Sequence, residues 1–276
     1  MLSACLFPSL DGLTGDGGDG AAPDAMNDVT VLDATPDVTT NDGGGPDATI
    51  DAGMCPPNND TSLVAYWPFD EGSGSIVHDC SGHGFDALLS GAAVQNAWTA
   101  GHKSGAIAFS SSNQICVIVA SAAANQSGAS PLTLSAWYEM PSSTSTGYII
   151  GQRHQTGYAW RVEIEQDDAG KHLDFAVGTG DDAGDDFSAS ALTSTGTFHH
   201  FAAVYDPTGP KQALYLDGAL VDTSASAPAI VLDPLASTIR IGCRADDSNY
   251  FNGVIDEVRV YSRALGASEI SALAKQ

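Results

Sequence analysis

The sequence predicts an all-β fold: two antiparallel sheets stacked as a sandwich, with a structureless acidic tether before them and one short helix after. Three observations carry this. Short β-branched and aromatic runs recur through residues 55–276, bounded by Gly, Ser and Asp clusters. Asp217-Gly218 separates two apolar runs, a hairpin signature, because Asp-Gly accepts the positive φ angles of a tight turn. Helical spacing occurs only in the tail, where Ile270 and Leu273 share one side of residues 267–274.

The elements follow in order. Leu63-Val64-Ala65-Tyr66-Trp67-Pro68-Phe69 reads as a strand, and its Pro68 implies an edge position or a bulge. Residues 132–138 alternate well enough to predict one buried and one wetter face. Residues 213–216 and 219–221 are the arms of the Asp-Gly hairpin. Residues 254–261 form a last strand, and simple alternation puts Asp256 on the face of Val254, Val258 and Val260.

Charge sets the domain boundary. The chain has 34 Asp and Glu against 10 Lys and Arg, a net of −24. Such a chain repels a phosphate backbone, which excludes nucleic acid as a partner. No apolar run reaches the roughly 18 residues that a membrane span needs. Residues 6–54 hold ten Asp and nine Gly but no Lys, Arg, Glu or His. That composition buries too little apolar surface to offset its ordering entropy, so the segment is expected to be a disordered linker. The other 24 acids and 10 bases give residues 55–276 a net of −14.

Five cysteines bear on location. Cys5 stands in Leu2-Ser3-Ala4-Cys5, which resembles the lipobox of bacterial lipoproteins. The resemblance implies that residues 1–5 are the remnant of a signal peptide, that Cys5 is lipidated, and that the chain meets the membrane only through it. The expected location is the bacterial cell envelope, outer-membrane-anchored or extracellular. Met1 stands directly before this run, so the expectation is that the true start codon lies upstream or that the chain is truncated. Cys55, Cys80, Cys116 and Cys243 lack zinc spacing and suggest two disulfides, for which three connectivities exist. Cys55–Cys80 and Cys116–Cys243 is the favoured pairing.

A family resemblance rests on six runs in order. Residues 63–74 with His78–Gly84 come first, then 101–109 and 132–137. Phe198-His199-His200-Phe201-Ala202-Ala203-Val204-Tyr205-Asp206 and Leu214-Tyr215-Leu216-Asp217-Gly218 follow, and 253–265 with Ser268-Glu269-Ile270 closes the series. Together they resemble LamG-like jelly-roll domains of the concanavalin A-like lectin/glucanase superfamily, with Phe198 where the family usually has Trp. The resemblance implies a jelly roll over residues 55–276. It also implies a structural role for the two histidines, one of them packed between the sheets.

The superfamily holds both binders and hydrolases, so function must be argued from residues. Glu163-Ile164-Glu165-Gln166-Asp167 has the two-residue spacing of a glucanase carboxylate set, but in the wrong order, and reads as the exposed face of a hairpin arm. No Gly-x-Ser-x-Gly or His-Glu-x-x-His motif occurs. Adjacent His199 and His200 point to opposite faces of a strand and cannot chelate together.

The resemblance implies a structural Ca²⁺, which carries over to Asp256 and, near the opening strand, to Asp70 or Asp79. A carboxylate on an apolar face needs such a partner, or else an Arg or backbone amides. For ligands, the loops bearing Asp181, Asp182, Asp246, Asp247 and Tyr250 combine hydroxyl-binding carboxylates with one aromatic. The expectation is a noncatalytic, surface-displayed module that recognises glycans or a surface protein. The alternatives are an adhesive protein without a sugar ligand and, more remotely, a glycoside hydrolase using Glu163.

Overall fold

The computed structural model describes residue 55 and residues 57–120, 130–141, 146–154, 157–167, 170–177, 185–189, 194–209, 212–225, 238–244 and 248–276. Cys5 and the linker over 6–54 lie outside the described residues, as do Asp181, Asp182, Asp246 and Asp247.

Sheet I runs in the order β14 (Ala219–Ser224), β13 (Gln212–Leu216), β12 (Phe198–Tyr205), β7 (Leu132–Glu139), β16 (Gly253–Tyr261), β5 (Gly105–Phe109), β4 (Trp98–Ala100), and β1 (Leu63–Trp67) also joins β16. Sheet II runs β11 (Asp185–Ala189), β10 (Gly170–Val177), β9 (Gly157–Asp167), β8 (Gly147–His154), β15 (Ile239–Ile241), β6 (Cys116–Val119), β3 (Ala87–Ser90), β2 (Ile76–Val77). Both are antiparallel. Trp67, Tyr138, Phe201 and Tyr205 of sheet I meet Val117, Trp160, Phe175 and Ile241 of sheet II in one core. The Asp-Gly hairpin forms as expected, with φ +50 at Asp217 and +78 at Gly218.

The described cysteines form Cys55–Cys80 and Cys116–Cys243. Disulfides of this kind persist in oxidising surroundings, which fits a secreted or surface protein. Helix α1 (Ala267–Leu273) lays Ile270 and Leu273 on the outer face of sheet I against Ala202, Val204 and Tyr215. Arg263 ties this end to the domain entrance, bonding Asp60 at 3.0 Å and Glu269 at 2.7 Å.

Three expectations need correction. The first concerns β7, which is buried on both faces: Thr133, Ser135 and Trp137 lie beneath the Arg263–Leu265 segment, His200 and His102.

The second concerns Asp256. Residues Gly253–Ile255 of β16 pair with β5, whereas Val258–Tyr261 pair with β1. Glu257 sits at this fork with φ +56, and the register against β7 shifts there. The bulge turns Val258 and Val260 inward with Ile255. Asp256 is left on the outer face of sheet I, opposite Trp137.

Of the two histidines, His199 shares the inner face with its register partner Tyr138. His200 is fully buried on the outer face. Its Nε2 is 3.0 Å from Ser135 Oγ and its ring meets Trp137 edge-on, because core positions on β12 fall to Phe201, Ala203 and Tyr205. Third, Glu163 is only 2% exposed, whereas Glu165 on the same strand face is exposed, so the cover is confined to the Glu163 end.

Candidate functional site

The outer face of sheet II presents one cross-strand row spanning seven of its strands. In register it reads Ile76, Leu88, Ile118, Arg240, Gly151, Arg161, Ala176. Neighbours such as Val77, Leu89, Val117 and Ile241 point the other way into the core, so strand alternation fixes which face the row occupies.

Beside this row, Glu163 lies directly opposite both Tyr148 and Asp174. Burial pushes the Glu163 carboxyl up to about 7, against the lowering pull of Arg161, with Glu165 and Asp174 adding repulsion. Its oxygens are engaged by Arg161 Nε and by Asn249 Nδ2, the latter at 3.3 Å. That leaves the group as a strut between floor and loop rather than a free acid.

Asn249 belongs to the segment that crosses this face. The Tyr148 N–H donates to the Asn249 carbonyl at 3.1 Å, and Tyr148 bridges to Tyr250. The Phe251 N–H donates to the Gly242 carbonyl at 2.9 Å. Two glycines permit the approach. A Cβ on Gly147 (φ +126) would meet the Tyr250 carbonyl oxygen at 2.5 Å, and one on Gly242 (φ +77) would strike the Phe109 ring at 1.8 Å. The Cys116–Cys243 disulfide pins the start of the segment to β6.

The result is an open cavity of about 440 Å³ bordered by Ser90, Gln114, Ile118, Arg240 and Tyr250. Of the loop residues named from sequence, Tyr250 is the described one, and it lines this cavity. Arg240, Gln114 and Ser90 were missed, since β3, β6 and β15 are far apart in sequence. The usable signal was Arg240 itself, a charge alternating with Ile239 and Ile241.

A second constellation sits on sheet I. The Gly101–Gly105 turn folds over the fork in β16, where the Lys103 N–H donates to Asp256 Oδ2 at 3.0 Å and the Gly105 N–H donates to Asp70 Oδ1 at 2.7 Å. A Cβ on Gly101 would fall 2.5 Å from Asp256 Oδ2. Asp256 is fully buried, and its Oδ1 has no hydrogen-bond partner among the described residues. Burial pushes its carboxyl up to about 7; the Lys103 amide opposes this, while Glu257 and Asp70 add to it. Burial likewise raises Asp70.

Asp79 is used differently. It accepts the N–H groups of Tyr66, Ser81 and Phe85 and the Ser81 hydroxyl, all within 2.7–2.9 Å. Arg259 is held by Glu257 and stacks on Tyr66 at 4.2 Å. Among the described residues no group of three His, Cys, Asp or Glu side chains forms a metal site. A cation at the Asp70–Asp256 pair therefore needs main-chain oxygens or water as further ligands, for which the bare Oδ1 and hard oxygen donors suit calcium.

Ser194, His199 and Asp217 form a hydrogen-bonded relay, with Oγ to Nε2 at 3.0 Å and Nδ1 to Oδ2 at 2.8 Å. Asp217 also accepts the His200 N–H at 2.9 Å. Ser194 does not border the cavity above, and the relay ties the β13–β14 turn to β12.

The two stacked antiparallel sheets define a jelly-roll architecture. A laminin G family model, described as the concanavalin A-like lectin/glucanases superfamily, matches residues 116–271, and the chain belongs to that family. Three solved structures illustrate the likeness. Domain 4 of AbnA, a GH43 extracellular arabinanase from Geobacillus stearothermophilus, in complex with arabinotriose, is 18% identical with a TM-score of 0.58, over 77% of this chain and 98% of that one. The binding domain of Paraclostridial Mosquitocidal Protein 1 is 19% identical with a TM-score of 0.55, over 77% of this chain and 52% of that one. The botulinum neurotoxin serotype D ligand-binding domain in complex with N-acetylneuraminic acid is 15% identical with a TM-score of 0.55, over 78% and 50%. This chain thus spans about half of the toxin domains. At such identities the likeness is one of fold. No curated protein matches the sequence significantly.

Proposed function

We propose that the chain is a noncatalytic recognition module that binds glycans on the outer face of sheet II. The observation that carries this is the open cavity where Tyr250, Gln114 and Arg240 converge. One aromatic face, an amide and a guanidinium serve the ring C–H groups and hydroxyls of a sugar. Relatives of the same fold that hold arabinotriose or N-acetylneuraminic acid support the reading. Catalysis on the outer face of sheet II is disfavoured, because Glu163, the raised carboxyl beside Asp174, is tied to Arg161 and Asn249.

The test is glycan-array screening followed by calorimetry on the best hit. Tyr250→Ala should weaken binding at least tenfold. Undiminished binding by that variant would remove the site, and calcium-independent adhesion to proteins alone would favour an adhesive role.

Asp70 and Asp256 are the proposed holders of a structural calcium ion. Bound there, calcium supplies the positive charge that two neighbouring carboxylates lack. Lipidation of Cys5 is proposed as the anchor, with residues 6–54 as spacer. Labelling with a palmitate analogue, expressed with the genomic upstream sequence, should disappear in Cys5→Ser; labelling that persists would defeat it.

A further inference from the structure

The cross-strand row on sheet II changes character at Arg240. On one side lie Ile118, Leu88 and Ile76, aligned on three consecutive strands. Leu88 is 47% and Ile76 48% exposed, and Ile118 is partly buried. Four large hydrophobic residues are markedly exposed among the described ones, and two of them are cross-strand partners in this row. With strands about 4.8 Å apart, the three steps from Arg240 to Ile76 cover about 14 Å. Single exposed aliphatics need no explanation, but a row ending in a cavity does.

No ring interrupts these three positions, and sugars stack on aromatic faces. A bare saccharide would leave the stripe uncovered; an acyl chain would cover it.

On the other side of Arg240 lies Gly151, between Arg240 and Arg161 in register, where a Cβ would come within 3.3 Å of the Tyr148 ring. Arg244 lies over the Tyr148 ring at 5.9 Å on the same face. Arg240 and Arg244 thus stand on this face beside Arg161, whose guanidinium Glu163 already engages, within a protein of net charge −24. Guanidinium groups suit carboxylate or phosphate oxygens.

We infer that this face takes an anionic saccharide carrying an acyl chain, with the anionic group at Arg240, the ring against Tyr250 and Gln114, and the chain along Ile118, Leu88 and Ile76. This rests on the glycan-site reading above. The ligand is a single molecule in the cavity and not a bilayer, since an anionic membrane surface would repel so acidic a chain.

The experiment titrates the full chain by calorimetry with three probes below their micellar concentrations: octyl β-D-glucuronide, octyl β-D-glucoside and free glucuronate. The glucuronide should bind at least tenfold more tightly than either other probe. Leu88→Ser should erase its advantage over free glucuronate, and Arg240→Gln its advantage over the glucoside. Melting curves confirm that both variants fold. Equal affinity for the three probes, with Tyr250→Ala weakening all of them, overturns the acyl and anion reading but keeps the glycan site. Affinities indifferent to Tyr250→Ala overturn both. Binding only to phosphatidylglycerol vesicles, or to none of the probes, also overturns the inference.

Discussion

Asp256 accepts the Lys103 main-chain N–H at 3.0 Å through Oδ2, while its Oδ1, equally enclosed, has no hydrogen-bond partner among the described residues. One amide is a meagre complement for a fully buried carboxylate, and Asp70 stands close enough to raise it further. If calcium binds only the folded state, a hundredfold excess over Kd stabilises it by about 2.7 kcal/mol. For a domain of this size that amounts to roughly 5–10 °C in Tm. Asp256→Asn should abolish the increment. A wild-type Tm that is the same in calcium and in EDTA would rule the site out.

The metal-free protein has a matching pH signature. Asp256 is raised from an ordinary carboxylate value to about 7 in the fold. Its contribution is therefore fully present below about pH 4 and is lost as pH rises through 7. In EDTA, Asp256→Asn should remove this component of the stability profile, gaining on wild type toward neutral pH. Parallel profiles for the two proteins would refute it.

His200 works in the opposite sense. Burial pushes it down to about 3, with Arg259 and His102 lowering it and Asp217 raising it. The unfolded chain takes up this proton near pH 6.5 and the folded one does not, so stability is full above that and declines toward pH 3. The slope is at most about 1.4 kcal/mol per pH unit. Denaturant titrations of His200→Phe against wild type should show a shallower acid decline, and an unchanged slope would contradict the assignment.

Gly147 and Gly242 should separate binding from stability. Gly242→Ala drives a Cβ into the Phe109 ring at a positive φ and should cost about 2–4 kcal/mol. Gly147→Ala meets the Tyr250 carbonyl instead, so it should weaken ligand binding beyond its effect on Tm. Equal loss in both variants by both measures would mean that Tyr250 does not depend on this approach.

The two disulfides differ in reach, with separations of 127 residues for Cys116–Cys243 and 25 for Cys55–Cys80. Chain entropy alone makes removal of the longer link costlier by about 1.4 kcal/mol. Double alanine variants compared by urea denaturation measure it. A larger loss from Cys55–Cys80 would show that native contacts outweigh loop closure.

The sandwich was legible in the sequence because its signals are local. The Asp217-Gly218 turn and the Ile270/Leu273 spacing each depend on neighbours a few residues away, and each took the expected form. The favoured cysteine pairing also formed. Tyr250 could be singled out as an aromatic on a loop, and Asp256 as a charge within an apolar strand.

Tertiary structure alone decided where those residues act. A one-residue bulge at Glu257 reverses every later side chain of β16, which period-two reading cannot anticipate, and it moves Asp256 from an apolar face to a turn beside Asp70. Glu163 looked exposed because its own strand alternates. It is buried by residues 248–250, which cross the sheet from more than eighty positions away. The row from Ile76 to Arg240 joins strands separated by up to 164 residues, and it exists only through hydrogen-bond register. Local pattern determined which segments became strands. Register and burial, which depend on partners distant in sequence, determined which side chains share a site.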